Sequence, residues 1–110
     1  MVKQGDIIKV NLNPQAGHEQ AGYRPAVVIS NNTFNRIAKM VILCPITNTK
    51  NNFPLHIPLD TRTKTTGTIL CEHISAVYLE ARPYNFIEKL PEDILENVIN
   101  IVFAEIEKEN

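Results

Sequence analysis

Hydrophobic and polar positions alternate from Ile7 to Leu12, with Ile8, Val10 and Leu12 on one face and Lys9 and Asn11 on the other, which is the period of a half-buried strand. Ala26 to Ser30 follows as an apolar run without alternation, as a strand covered on both faces requires. Asn31 to Ile37 is polar around one apolar anchor, Phe34, and Asn32 or Thr33 is placed to cap a single helical turn. Met40 to Ile46 reads as a third strand ended by Pro45, and Leu55 to Leu59, with prolines at 54 and 58, as a short edge strand. Thr68 to Ser75 alternates again, with Thr68, Leu70, Glu72 and Ile74 opposite Ile69, Cys71, His73 and Ser75, and a further strand is expected near Phe86 to Glu88. From Pro91 the period becomes helical: proline suits a first turn, Glu92 and Asp93 favour its dipole, and Ile94, Leu95, Val98, Ile99, Val102 and Ile106 recur on one face. Five or more short strands and a terminal helix predict a mainly β fold, a small and strongly curved antiparallel sheet or barrel.

Composition narrows this picture. A chain of 110 residues with 44% hydrophobic content closes one core, so a single domain over residues 1–110 is expected. The longest apolar runs fall far short of a bilayer span, residues 1–5 lack a signal-peptide core, and two cysteines imply no oxidising compartment, so the expected location is cytoplasmic, away from any membrane. The net charge of −1 conceals an asymmetry: residues 1–66 hold eight Lys or Arg against three acids, residues 67–110 three against nine. A basic front part suits a phosphate-bearing ligand, although a salt-bridged surface explains the same counts.

The richest chemistry lies between the first two strands. The loop from Asn13 to Tyr23 is longer than a hairpin needs, and its end collects an imidazole, a carboxylate, an amide, a phenol and a guanidinium in His18, Glu19, Gln20, Tyr23 and Arg24, with Gly17 and Gly22 to turn the backbone.

Gly5 to Ile8, Asn13, Pro14, Gly17 to Gln20, Gly22, Arg24 to Ala26 and Val28 together resemble the opening of the MazF/PemK (Kid) family of toxin endoribonucleases. Phe34 and Asn35, Pro45 to Thr47, Thr66 and Gly67, Ala81 and Arg82, and the closing helix extend the resemblance over nearly the whole chain. It implies an SH3-like small barrel of the CcdB/PemK kind and a homodimer that cleaves single-stranded RNA at short sequences, with no metal or other cofactor. It further implies a toxin that blocks translation and is silenced by a MazE/PemI-like antitoxin, with DNA contacted only through that antitoxin.

RNA cleavage through its own 2′-hydroxyl requires a base for that proton, a donor for the leaving 5′-oxygen and groups that stabilise a charged phosphorane. Arg24 fits the last role, since its planar fork matches phosphate oxygens; its plainer alternative is an ion pair with Glu19 or Glu72. Thr47 offers a neutral hydrogen bond or serves as a turn cap. The resemblance makes Arg24 and Thr47 the catalytic pair. Relatives resembling PemK use a histidine, an arginine and an aspartate at the positions of His18, Leu70 and Glu72, so the arginine is lost here and the aspartate lengthened. His18, with an ordinary pKa of about 6.5, and Glu19 complete the catalytic candidates, and Gln20, Tyr23, Asn48, Lys50 and Glu72 the RNA-binding ones. Tyr23, Phe53 and Tyr84 either stack unpaired bases or act as core and rim aromatics. Cys44, Cys71 and His73 lack metal-ligand spacing, and two buried thiols account better for the cysteines. The competing class is a CcdB-like toxin that binds gyrase without cutting RNA. Such proteins end in a tryptophan motif, whereas this chain has no Trp and ends Glu107, Lys108, Glu109, Asn110.

Overall fold

In the computed structural model, which describes residues 1–12, 22–49 and 53–110, β1 (Asp6–Asn11) and β2 (Tyr23–Val28) pair antiparallel, with Ile7 opposite Val27 and Val10 opposite Arg24. The apolar run after the loop is covered on both faces as its composition requires. Val27 and Ile29 join one core cluster, Ala26 and Val28 the other. β1 behaves likewise at its start, sending Ile7 to the first cluster and Ile8 and Val10 to the second. Gly5 makes this entry practicable: at φ +90 its N–H reaches the Val28 carbonyl while its own carbonyl accepts from Leu90.

The polar segment after β2 forms α1 (Asn32–Ala38), and its cap is Asn31 rather than Asn32 or Thr33, with Oδ1 accepting from the Phe34 N–H at 2.8 Å. Asn35 is buried because Ser30 Oγ donates to its Oδ1 and its Nδ2 donates to the Ser30 carbonyl at 3.2 Å. β3 (Val41–Thr47) pairs with β2 and does not end at Pro45. Pro45 falls between Val41–Leu43, which pair with β6 (Ser75–Val77), and Ile46–Thr47, which pair with β5 (Thr68–Leu70). A residue without an N–H is tolerated where one ladder gives way to the next.

The alternating run from Thr68 to Ser75 is therefore two strands of three residues, not one of eight. A turn at Cys71–Glu72, held by the His73 N–H on the Leu70 carbonyl, separates them. β4 (His56–Pro58) is the edge strand expected from its prolines, and β7 (Tyr84–Lys89) pairs with β1 across a register shift at Ile7/Ile8.

The sheet runs β4-β5-β3-β2-β1-β7, with β6 on β3. This corrects the expected SH3-like barrel: the two ends, β4 and β7, do not pair among the described residues, and the sheet is open. The reason lies at both edges. β4 has three residues, ending at a proline, and the connection from β4 to β5 is tied to a side chain of β7: Glu88 accepts from the N–H of Lys64 at 3.1 Å and from the N–H and Oγ1 of Thr65, each at 2.8 Å. A loop, not a ladder, links that part of the chain to β7.

α2 (Glu92–Ile106) covers one face of this sheet. Ile94, Leu95 and Val98 are buried with Ile7, Val27, Cys44, Ile46, Ile69 and Cys71. The predicted stripe outruns its cover, since Ile106 is 72% exposed. No helix among the described residues is long and apolar enough to cross a membrane.

Candidate functional site

The register places Arg24 and Thr47 on one face. Ala26 pairs with Pro45 at the end of the β2–β3 ladder, so Arg24 and Thr47 each lie two residues beyond that pair on their own strands; on its other side Arg24 pairs with Val10. Thr47 pairs in turn with Thr68. Cross-strand partners, and residues two apart on a strand, turn their side chains to the same face, so Val10, Arg24, Thr47 and Thr68 share one parity. Ala26, Val28, Leu43 and Val10 share that parity and belong to the cluster away from α2. The arginine and threonine that the sequence singled out are thus brought to the face that the helix leaves uncovered.

Thr47 is buried and its Oγ1 accepts from the Thr49 N–H at 3.2 Å, a turn that leaves the hydroxyl proton to donate elsewhere. Its backbone is held by β5: at Gly67, φ +119, a Cβ would lie 2.5 Å from the Thr47 carbonyl oxygen, so the approach exists only because residue 67 is glycine. Asn48 is exposed beside it, its Oδ1 accepting from Thr66 Oγ1 at 3.1 Å. Arg24 is half-buried at the open end of β2.

Tyr23 precedes Arg24 on β2 and so takes the opposite face. Asn85 Nδ2 donates to its Oη at 2.9 Å, and Lys9 Nζ lies 5.5 Å from its ring centroid, a cation–π contact. Its ring remains 43% exposed.

Glu72 lies in the turn after β5 and binds His56, a residue the sequence reading passed over. His56 Nε2 and Glu72 Oε2 are 2.7 Å apart, and His73 Nε2 is 3.6 Å from the same oxygen. His56 pairs with Leu70 and Pro58 with Thr68, so His56 carries the parity of Thr68, Thr47 and Arg24. The signal was the alternation of His56 and Pro58 around Ile57, which sends Ile57 to the helix side and His56 to the other. Glu72 is also felt on α2, where burial first and then its charge push the Glu105 carboxyl up.

Arg62 does not offer its charge to a ligand surface. It binds Asp60 at 2.8 Å and Asp93 at 2.9 Å, and both carboxyls are held below their ordinary range by its hydrogen bonds. Cys44 and Cys71 are free, buried thiols; burial pushes Cys44 far up and Cys71 up to about 12, so both are inert at neutral pH. Among the described residues no three His, Cys, Asp or Glu side chains are grouped to hold a metal ion. His18, Glu19, Gln20 and Lys50 lie outside the described residues.

This architecture and sequence match known proteins. Residues 3–103 match the model of the PemK-like, MazF-like toxin of type II toxin-antitoxin systems. The chain is 31% identical over 102 residues to the endoribonuclease PemK of Escherichia coli, an alignment covering 89% of this chain and 77% of that protein. The crystal structure of MazF (Form-I) from Deinococcus radiodurans superposes with a TM-score of 0.90 at 27% identity, covering 97% of each chain. The MazE-MazF structure (Form-III) from the same organism gives 0.84 at 24% identity, covering 98% of each. The chain belongs to the PemK-like, MazF-like family of toxin endoribonucleases of type II toxin-antitoxin systems.

Proposed function

We propose that the chain, as one toxin domain over residues 1–110, is a sequence-specific, metal-independent endoribonuclease that cuts single-stranded mRNA in the cytoplasm and so blocks translation. Family membership supports RNA cleavage in general; the single observation that supports the finer chemistry is the shared parity of Arg24 and Thr47 on the face away from α2. The 2′-oxygen attacks phosphorus, its proton passes to a base, the P–O5′ bond breaks, and the leaving 5′-oxygen takes a proton. The products are a 2′,3′-cyclic phosphate and a 5′-hydroxyl. Arg24 stabilises the phosphorane through its fork of N–H donors, and the Thr47 hydroxyl donates to a phosphate oxygen. His18 and Glu19 carry the proton transfers, and Gln20, Tyr23, Asn48, Lys50 and Glu72 hold the RNA on either side. The protein works as a homodimer and is silenced by a MazE/PemI-like antitoxin, a partnership supported by membership of a toxin family of type II toxin-antitoxin systems.

The test is a long RNA incubated with pure protein in EDTA, followed by mapping of the new ends. Cyclic phosphate and 5′-hydroxyl termini are expected, with DNA and RNA carrying 2′-deoxy at the cut left intact. Activity lost in EDTA and restored by magnesium would overturn the metal-independent mechanism.

A further inference from the structure

His56 is more than nine-tenths buried, with side-chain exposure of 7%, and is flanked by the Phe53 ring at a centroid distance of 5.2 Å, edge on. A buried imidazole needs a reason, and the reason here is Glu72. A carboxylate only accepts, so Nε2 carries the proton in the 2.7 Å bond to Oε2. The same oxygen faces His73 Nε2 at 3.6 Å, so both imidazoles converge on one side of the carboxyl group. Glu72 Oε1 and His56 Nδ1, by contrast, are buried atoms with no hydrogen-bond partner among the described residues. A carboxylate with one oxygen held by an imidazole keeps the capacity to accept a further donor. The Glu72 side chain is 28% exposed, so a donor approaches the carboxylate from its open edge while His56 holds Oε2.

The donor is defined by charge and place. Phosphate is repelled by Glu72 and by Glu105 near it, so a nucleic-acid strand would present a base edge here and its phosphate at Arg24. By strand and residue spacings, His56 lies two strands and one two-residue step from Thr47, on the same face, on the order of 12 Å between Cα positions. That separation suits a nucleotide neighbouring the one cut. We infer that His56 is a positioning residue that fixes the Glu72 carboxylate as a subsite for the N–H donor edge of a base flanking the scissile phosphate. The subsite favours bases with an exocyclic amino group over uracil, whose N3–H is flanked by two carbonyls that the carboxylate repels. This rests on the RNA-cleaving function proposed above.

The test measures binding of fluorescent RNA oligonucleotides that carry 2′-deoxy at the cut, with each flanking position varied through all four bases. The proteins compared are the wild type, His56→Leu, His56→Gln, Glu72→Gln and the double variant His56→Leu with Glu72→Gln. Wild type should discriminate against uracil at one position by tenfold or more. His56→Leu and Glu72→Gln should each flatten that preference, and the double variant should lose no more than either alone. His56→Gln, which can return an N–H to the carboxylate, should keep the preference to within about threefold of wild type. A uniform loss of affinity in His56→Leu with the base profile unchanged, or effects that add with Glu72→Gln, would show His56 to be merely structural and overturn the inference. A wild-type protein that neither binds nor cuts RNA overturns the proposed function as well, and the two failures are thereby told apart.

Discussion

Gly67 approaches the backbone of Thr47 so closely that a Cβ on it would sit 2.5 Å from the Thr47 carbonyl oxygen and 2.9 Å from its carbon. Both obstacles are backbone, and φ +119 is itself a region that side chains avoid. Gly67→Ala should therefore cost about 1–3 kcal/mol or more, read as a lower midpoint of thermal or urea unfolding. Because the strain falls on the strand that presents Thr47, RNA cleavage should fall further than stability does. An alanine variant with wild-type unfolding and activity would show that β5 can move aside freely.

Arg24 pairs with Val10 and shares the parity of Thr47, where its guanidinium is proposed to meet phosphate. Loss of one donor to a charged transition state typically costs about 2.7–4 kcal/mol, a hundredfold to a thousandfold in kcat. Arg24→Ala should show that loss with unchanged circular dichroism, and Arg24→Lys should recover only part of it, since an ammonium lacks the fork. Wild-type rates from a folded Arg24→Ala protein would reduce the guanidinium to a surface ion pair.

Arg24 and Thr47 were singled out by the chemistry of a guanidinium and a hydroxyl at strand ends and by the family resemblance, and the structure places Arg24 in β2 and Thr47 at the end of β3. Elsewhere periodicity misled. The alternation of Thr68 to Ser75 continues through a turn that contains no glycine or proline, so the break at Cys71–Glu72 left no local mark. The cap Asn31 was missed by one residue, as short helices allow. The alternation around Ile57 marked the face of His56 but not its role, because that role comes from Leu70 and Glu72, fourteen and sixteen residues away, and nothing nearby announces them. Closure of the sheet depends on whether two distant edges pair, and β4 and β7 do not pair among the described residues. No pattern within either segment encodes that choice.

Glu88 gives the stability a pH dependence whose sign can be worked out. Burial raises its carboxyl, but the bonds from Thr65 and Lys64 outweigh that and hold it below its ordinary value of 4.5. A carboxyl with a lower pKa folded than unfolded adds stability above the unfolded value, and that contribution is lost as pH falls through the folded value. Asp60 and Asp93, held down by Arg62, act in the same direction, discounted for their exposure. Urea midpoints should thus decline as pH drops below about 4.5, and the decline should be shallower in Glu88→Gln. An identical acid profile in the variant would mean that the loop bonds persist with a neutral acceptor.

The charge asymmetry of the chain bears on how an antitoxin would inhibit it. A surface that receives an anionic RNA strand also suits an acidic peptide that orders on binding, and the basic part of the sequence, with Arg24, Lys50, Arg62 and Lys64, first suggested where both would lie. The structure removes Arg62 from that set, because its guanidinium is already bound to Asp60 and Asp93. It also packs α2 on the face opposite Arg24, which keeps the helix from that end of the ligand path, while Glu72 and Glu105 repel phosphate further along it. An acidic antitoxin tail and single-stranded RNA should therefore compete for the Arg24 face, and both affinities should fall as salt rises. Arg24→Gln should weaken both ligands and flatten both salt slopes, whereas Arg62→Gln should leave both nearly unchanged. A labelled, uncleavable RNA that stays bound at full stoichiometry while saturating acidic tail is added would show two separate surfaces, and inhibition would then have to act through the fold instead of by occupying the groove.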